Sequence, residues 1–145
     1  MAVSGRTPPA WFWLVAVLLV LWEGMGLYSF YEHVAHGPGA MGAVPTDYDR
    51  RLFVGLPGWY VWVFGVATWG GLAAGLALLL RSRFAEALAW ISLIAIVVMF
   101  GWMFLATDII AAKGIWTTYF PAMIFIVGLF TIWFARRARA RGWIG

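Results

Sequence analysis

The sequence predicts an all-α fold, an antiparallel four-helix transmembrane bundle, and three observations predict it. Of the 145 residues, 64% are hydrophobic and 11% charged, whereas soluble domains carry roughly 45–50% apolar and about 25% charged residues. The mean hydropathy of +0.88 points the same way. Four apolar runs approach or reach the roughly 20 residues that a helix needs to cross a bilayer core. Polar stretches of alternating charge character separate these runs, as helices of alternating direction require.

The first span covers residues 11–30 and follows Pro8 and Pro9, which suit a helix start. The apolar core of a signal peptide is shorter, about 7–15 residues, with a basic leader and a small-residue cleavage site. Here only Arg6 precedes the run, so a retained helix is expected. The connection Tyr31–Leu56 is the one with room for extra structure. Within it, Thr46-Asp47-Tyr48-Asp49 resembles a capping box with Asp in place of Glu, which predicts a short amphipathic helix over Asp47–Val54 at the membrane surface. The second span, 58–80, opens after Pro57 and is closed by Arg81 and Arg83. The tight hairpin RSRFAEA leads into the third span, 88–107, closed by Asp108. The fourth, 116–135, carries Pro121 in its first turn, where proline is tolerated, and is closed by Arg136 and Arg137. With no internal repeat and no linker, residues 1–145 read as a single membrane domain.

Basic residues set the expected orientation. Arg6, Arg81, Arg83, Arg136, Arg137, Arg139 and Arg141 fall on one side of the predicted membrane, and Arg50, Arg51 and Lys113 on the other. Seven against three places both termini and the second-to-third hairpin in the cytoplasm. The tail arginines Arg136, Arg137, Arg139 and Arg141 suit anionic lipid headgroups better than nucleic acid. Trp11, Trp13, Trp59, Trp62, Trp90, Trp116, Trp133 and Trp143 sit near predicted interfaces, where an indole buries its ring and keeps its N–H wet.

Several chemistries are excluded. The chain has no cysteine, so disulfides, thiolate metal sites, cysteine nucleophiles and c-type haem attachment are absent. It has no G-x-S-x-G, no phosphate loop and no paired intramembrane acids. A non-enzymatic protein is expected, and no cofactor is specified.

Glu23 is the one ionisable residue well inside a predicted span. A central acidic residue is penalised by about 2.5–3.5 kcal/mol on translocon scales, so it must face the bundle, be paired or be protonated. It is either a proton relay or ligand contact, or glue between helices. The sequence favours interhelical hydrogen bonding, in an intramembrane polar site of Glu23, Trp22, Ser92 and Trp102, with Thr68 as a further partner. Beyond the first span, Glu32 and His36 stand at i,i+4 if the helix continues and would share a face. With His33 and Asp108 they form a candidate divalent-metal site on the outer side. An ordinary polar helix end is the favoured alternative, and two adjacent surface histidines are ill placed to hold a haem. Ala67, Gly71 and Gly75, with a G-x-x-x-G at the last two, allow close backbone approach. They serve either oligomerisation or packing within the bundle.

Four segments carry a resemblance: LWEGMG in the first span, LPGW opening the second, WMFLATD closing the third, and the tail WFARRARARGW. In these, over nearly its whole length, the chain resembles a family of small four-helix membrane proteins of bacteria, mostly proteobacterial and often labelled sugar transporters. The resemblance implies a bacterial inner-membrane location. The chain departs from the family's pattern at two polar positions. Glu23 stands where that pattern usually has Asn, and His33 where it tends to have Gln.

Three functions are therefore expected, in descending order. The first is a membrane-embedded interaction or accessory protein, with the lipid bilayer and a homo-oligomer or larger membrane complex as partners. The second is a small-solute, sugar-type transporter acting as an oligomer, because four helices with one intramembrane polar residue offer little to hydroxyls. The third is a metal or cofactor binder at the outer face.

Overall fold

The computed structural model describes residues 5–145, and its regular structure among these residues is helical throughout. Pro9, in an extended conformation, starts α1 (Ala10–His36), and its carbonyl accepts the Phe12 N–H at 3.0 Å. This helix runs six residues past the predicted end at Phe30, because the polar residues beyond it remain helical. The i,i+4 pair Glu32 and His36 bonds at 2.9 Å along the last turns. Gly37, at φ +58°, then turns the chain into a 3-10 segment, Gly37–Gly42, a left-handed conformation that glycine adopts without penalty.

The predicted surface helix is α2 (Asp47–Val54), and its capping box is formed. Thr46 Oγ1 accepts the Asp49 N–H at 3.2 Å, while the Asp49 carboxylate accepts the Thr46 N–H at 2.9 Å. Then come α3 (Tyr60–Leu79), α4 (Ala85–Ala106), the short α5 (Ile109–Lys113), a 3-10 turn (Ile115–Thr118) and α6 (Tyr119–Ala140). The last helix continues past the predicted Ala135 into the arginine-rich tail. Four helical segments, built on α1, α3, α4 and α6, are long and apolar enough to cross a membrane, and the chain is a multi-pass membrane protein with an all-α four-helix bundle.

In the bundle α1 packs on α3, α3 on α4, and α4 on α6. The α1–α6 seam is different. There the backbones stay apart and large aromatic side chains meet instead, Phe12 with Phe134 at 5.5 Å and Trp22 with Phe120 at 6.1 Å between centroids.

The two ends of the bundle are tied by different chemistry. At the arginine end, Phe12, Leu78 and Phe134 are fully buried among alanines. Arg81 adopts φ +55°, a region that costs a non-glycine residue roughly 1–3 kcal/mol. Its guanidinium donates to the Trp143 carbonyl at 2.7 Å and the Arg6 carbonyl at 3.2 Å, and its own carbonyl accepts the Gly145 N–H at 3.1 Å. Both terminal segments and the α3–α4 hairpin are thus clasped together. At the opposite end, here the loop end, Tyr48 donates to Asp108 at 2.8 Å and Lys113 pairs with Asp49. The first and third connections are joined there across the bundle.

Candidate functional site

Below the loop end the four helices line a partly open cavity of about 410 Å³. Its walls are mainly apolar and aromatic, with Trp22, Phe64, Phe100 and Phe120 contributed by all four spanning helices. Met41 and Leu56 reach over it from the first connection. The cavity exists because the residues facing inward here are large. Bulky rings hold the backbones apart, whereas small residues at helix contacts let backbones approach.

Glu23 borders this cavity, at the midpoint of α1. Its carboxyl rests against Gly71 of α3, where a Cβ would stand 2.6 Å from the Glu23 Cδ. Gly71 therefore makes room for the carboxyl, and Gly75 makes room for Val20 of α1, whose Cγ2 would lie 3.0 Å from a Cβ. Ala67, the third member of the stripe, is buried. The small-residue stripe is accordingly a packing surface inside the bundle.

The hydrogen bonds expected for Glu23 are not formed. Ser92 instead donates to the Ala67 carbonyl at 2.6 Å, pinning α4 to α3. Thr68 bonds back to the Phe64 carbonyl of its own helix at 3.0 Å. Trp102 lies farther toward the loop end, edge-on to Trp59 and Tyr60 at 6.1 and 5.7 Å. Of the predicted polar site Glu23, Trp22 and the further partner Thr68 border the cavity, and Ser92 and Trp102 do not. Ser29, His33 and Tyr60 line it as well. Among the described residues, none of the Glu23, His33 and Tyr60 side chains has a hydrogen-bond partner. Helical rise of about 1.5 Å per residue places Glu23 and His33 roughly 15 Å apart along the helix axis. The cavity is thus an elongated apolar space with a carboxyl at one level and an imidazole and a phenol at the other.

The predicted metal ligands are dispersed. Glu32 and His36 bond one another, and Glu32 also accepts the Met41 N–H at 3.1 Å, a buried carboxylate that pins the Gly37–Gly42 turn. His33, one residue on, points to a different side and packs among Phe53, Phe64 and Tyr60. Asp108 accepts from Tyr48. Among the described residues no three His, Asp or Glu side chains group closely enough to hold a metal ion.

The tail arginines also divide. Arg136 pairs with Glu86 at 2.5 Å and lies over the Trp90 ring, so it joins α6 to α4. Arg137, Arg139 and Arg141 are exposed, which suits headgroup contact. At the loop end, the Lys113 ammonium and the Thr46 N–H hold the Asp49 carboxyl down at about 2.

Sequence reasoning missed the cavity, the Arg81 clasp and the Glu86–Arg136 pair. Glu86 carried a signal, being one of only six acidic residues and placed beside the basic hairpin.

No family model, no curated protein and no solved structure matches the chain.

Proposed function

We propose that the chain is a membrane-embedded binding protein whose ligand occupies the cavity, a mainly apolar molecule with a hydrogen-bond-donating amine held by Glu23. The observation that carries this reading is an unpartnered carboxyl bordering an apolar cavity of about 410 Å³. Ligand sites are concave, mostly apolar, and oriented by a few polar groups. An intramembrane acidic residue is expected to pair, and is by default a functional candidate. No side chain of this chain pairs with Glu23 among the described residues, so the ligand supplies the partner.

The internal use of the Ala67–Gly71–Gly75 stripe weighs against a purely helix-packing accessory role. The apolar walls weigh against a sugar, whose hydroxyls would meet few partners. If the protein also transports, as the resemblance to bacterial sugar-transporter-like proteins implies, a lipophilic amine fits the cavity better. We further propose a bacterial inner-membrane location with the arginine end in the cytoplasm, supported by the seven-to-three distribution of basic residues.

The test is equilibrium binding of tritiated dodecylamine to the protein in nanodiscs, corrected for empty nanodiscs. Saturable binding is expected, with Glu23→Gln weakening it by about tenfold or more at unchanged thermal stability. Equal affinity in wild type and Glu23→Gln, or equally tight binding of dodecanoate, contradicts the proposal.

A further inference from the structure

A second concavity lies on the outside of the bundle, in the seam between α4 and α6. It has a volume of about 320 Å³ and is lined by Ile96, Phe100, Gly101 and Phe104 of α4, and by Pro121 and Phe125 of α6. Val97 and Phe125, which also line it, are exposed on the lipid-facing surface. Three of its residues, Ile96, Phe100 and Pro121, line the internal cavity too. The outer groove and the inner cavity are therefore separated by a wall one side chain thick.

That wall is made of parts that can move apart. Phe100 is stacked on Phe104 at 6.1 Å and is only partly buried. Next to it Gly101 leaves a notch, since a Cβ there would meet nothing within 4 Å. The loop end is held differently. There the turn bearing Met41 is pinned by Glu32, and Tyr48–Asp108 and Lys113–Asp49 tie the connections across it. The Phe100 ring is held by apolar packing alone, whereas opening the loop end requires breaking several polar contacts.

We propose that the groove between α4 and α6 is the portal through which the cavity's ligand arrives from the bilayer, with Phe100 as its swinging wall. The proposal rests on the reading of the cavity as a site for a lipophilic amine. Such a molecule partitions into the membrane, so a lateral route spares it passage through water. The occupant of the groove is the same ligand on its way in, because the two spaces share a wall and both are apolar. The ligand crosses the Phe100 wall and its amine then reaches the Glu23 carboxyl, with no bond made or broken.

The experiment follows tritiated dodecylamine binding to wild-type protein in nanodiscs as a time course of association and dissociation. Gly101→Trp fills the notch without entering the cavity. It is expected to slow association and dissociation alike by about tenfold while leaving the Kd within about twofold. Gly101→Leu, a smaller obstacle, is expected to give an intermediate slowing and guards against misfolding of the larger variant. Gly39→Trp, which adds bulk in the loop-end turn at a residue that does not line the cavity and where a Cβ would meet nothing within 4 Å, is expected to leave both rates unchanged. Unaltered rates in both Gly101 variants, with or without slowing by Gly39→Trp, would overturn the portal while leaving the cavity's reading intact. Absence of saturable binding to wild-type protein overturns both.

Discussion

The arginine-end and loop-end halves of the bundle differ in how their space is filled. Toward the arginine end, alanines at 16, 77, 85, 135 and 138 are buried in one cluster with the stacked rings of Phe12 and Phe134. Toward the loop end, the facing positions hold Trp22, Phe64, Phe100 and Phe120, and the space between them remains open. Lipid tails are as apolar as leucine, so close packing rather than hydrophobic drive holds membrane helices together. The small-residue half therefore acts as the structural anchor, and the aromatic half is left able to accept a guest. Glu23 sits where the two regimes meet, against Gly71 on the packed side and facing the cavity on the other.

Removing a large side chain from each half breaks or sharpens this contrast most. Phe134→Ala empties a fully buried site in the anchor, where such a truncation costs about 3–5 kcal/mol in soluble cores. The lower end of that range is expected in a membrane. Phe100→Ala only enlarges a space that already exists, and is expected to cost less than half as much. Reversible unfolding in mixed micelles gives both values, and equal losses would show that the halves are packed alike.

Adding bulk at glycine gives a smaller but sharper contrast. A side chain at Gly71 collides with the Glu23 carboxyl, while one at Gly101 projects into open space. Gly71→Leu is expected to destabilise by about 1–3 kcal/mol, the usual range for overpacking, and Gly101→Leu to be neutral or slightly stabilising, since leucine is the better helix former. Thermal melts in detergent decide it, and a neutral Gly71→Leu would remove the argument that α1 occupies the small-residue stripe.

The smallest effect concerns the polar tie across the loop end. The Asp49 carboxyl is held from its ordinary 3.8 down to about 2 by Lys113 and the Thr46 N–H. Its contribution is fully present above the ordinary value and is lost as pH falls through about 2. The stability difference between wild type and Lys113→Met is therefore expected to shrink across that window. Because the pair is partly exposed, the difference is small even at neutral pH. A difference independent of pH down to 2 would detach Lys113 from Asp49.

The helices were more legible in the sequence than the cavity. Span positions, the hairpin and the capping box at Thr46 and Asp49 all depend on local patterns of apolar length, charge and side-chain reach, and all are present. Apolar length alone stops at Phe30 and leaves helix continuation through Glu32 and His36 open; a bond between these side chains one turn apart secures it. Glu23 was recognisable as a buried acid, but its surroundings were not. Which of Ser92, Thr68 and Trp102 reaches it depends on the rotation of three helices, and each found a partner elsewhere. A void has still less of a signature, because it is set by the summed volumes of side chains from four helices that meet only in the fold. The Arg81 clasp is of the same kind, joining residues 62 and 75 positions apart.

In the proposed function the Glu23 carboxyl receives the polar end of a ligand inside the membrane. Infrared difference spectroscopy of the carboxyl region, wild type minus Glu23→Gln, recorded with and without saturating dodecylamine, tests it most directly. The account predicts a Glu23 band that shifts when the amine binds and is missing from the variant. A Glu23 band that does not move at saturation would contradict it.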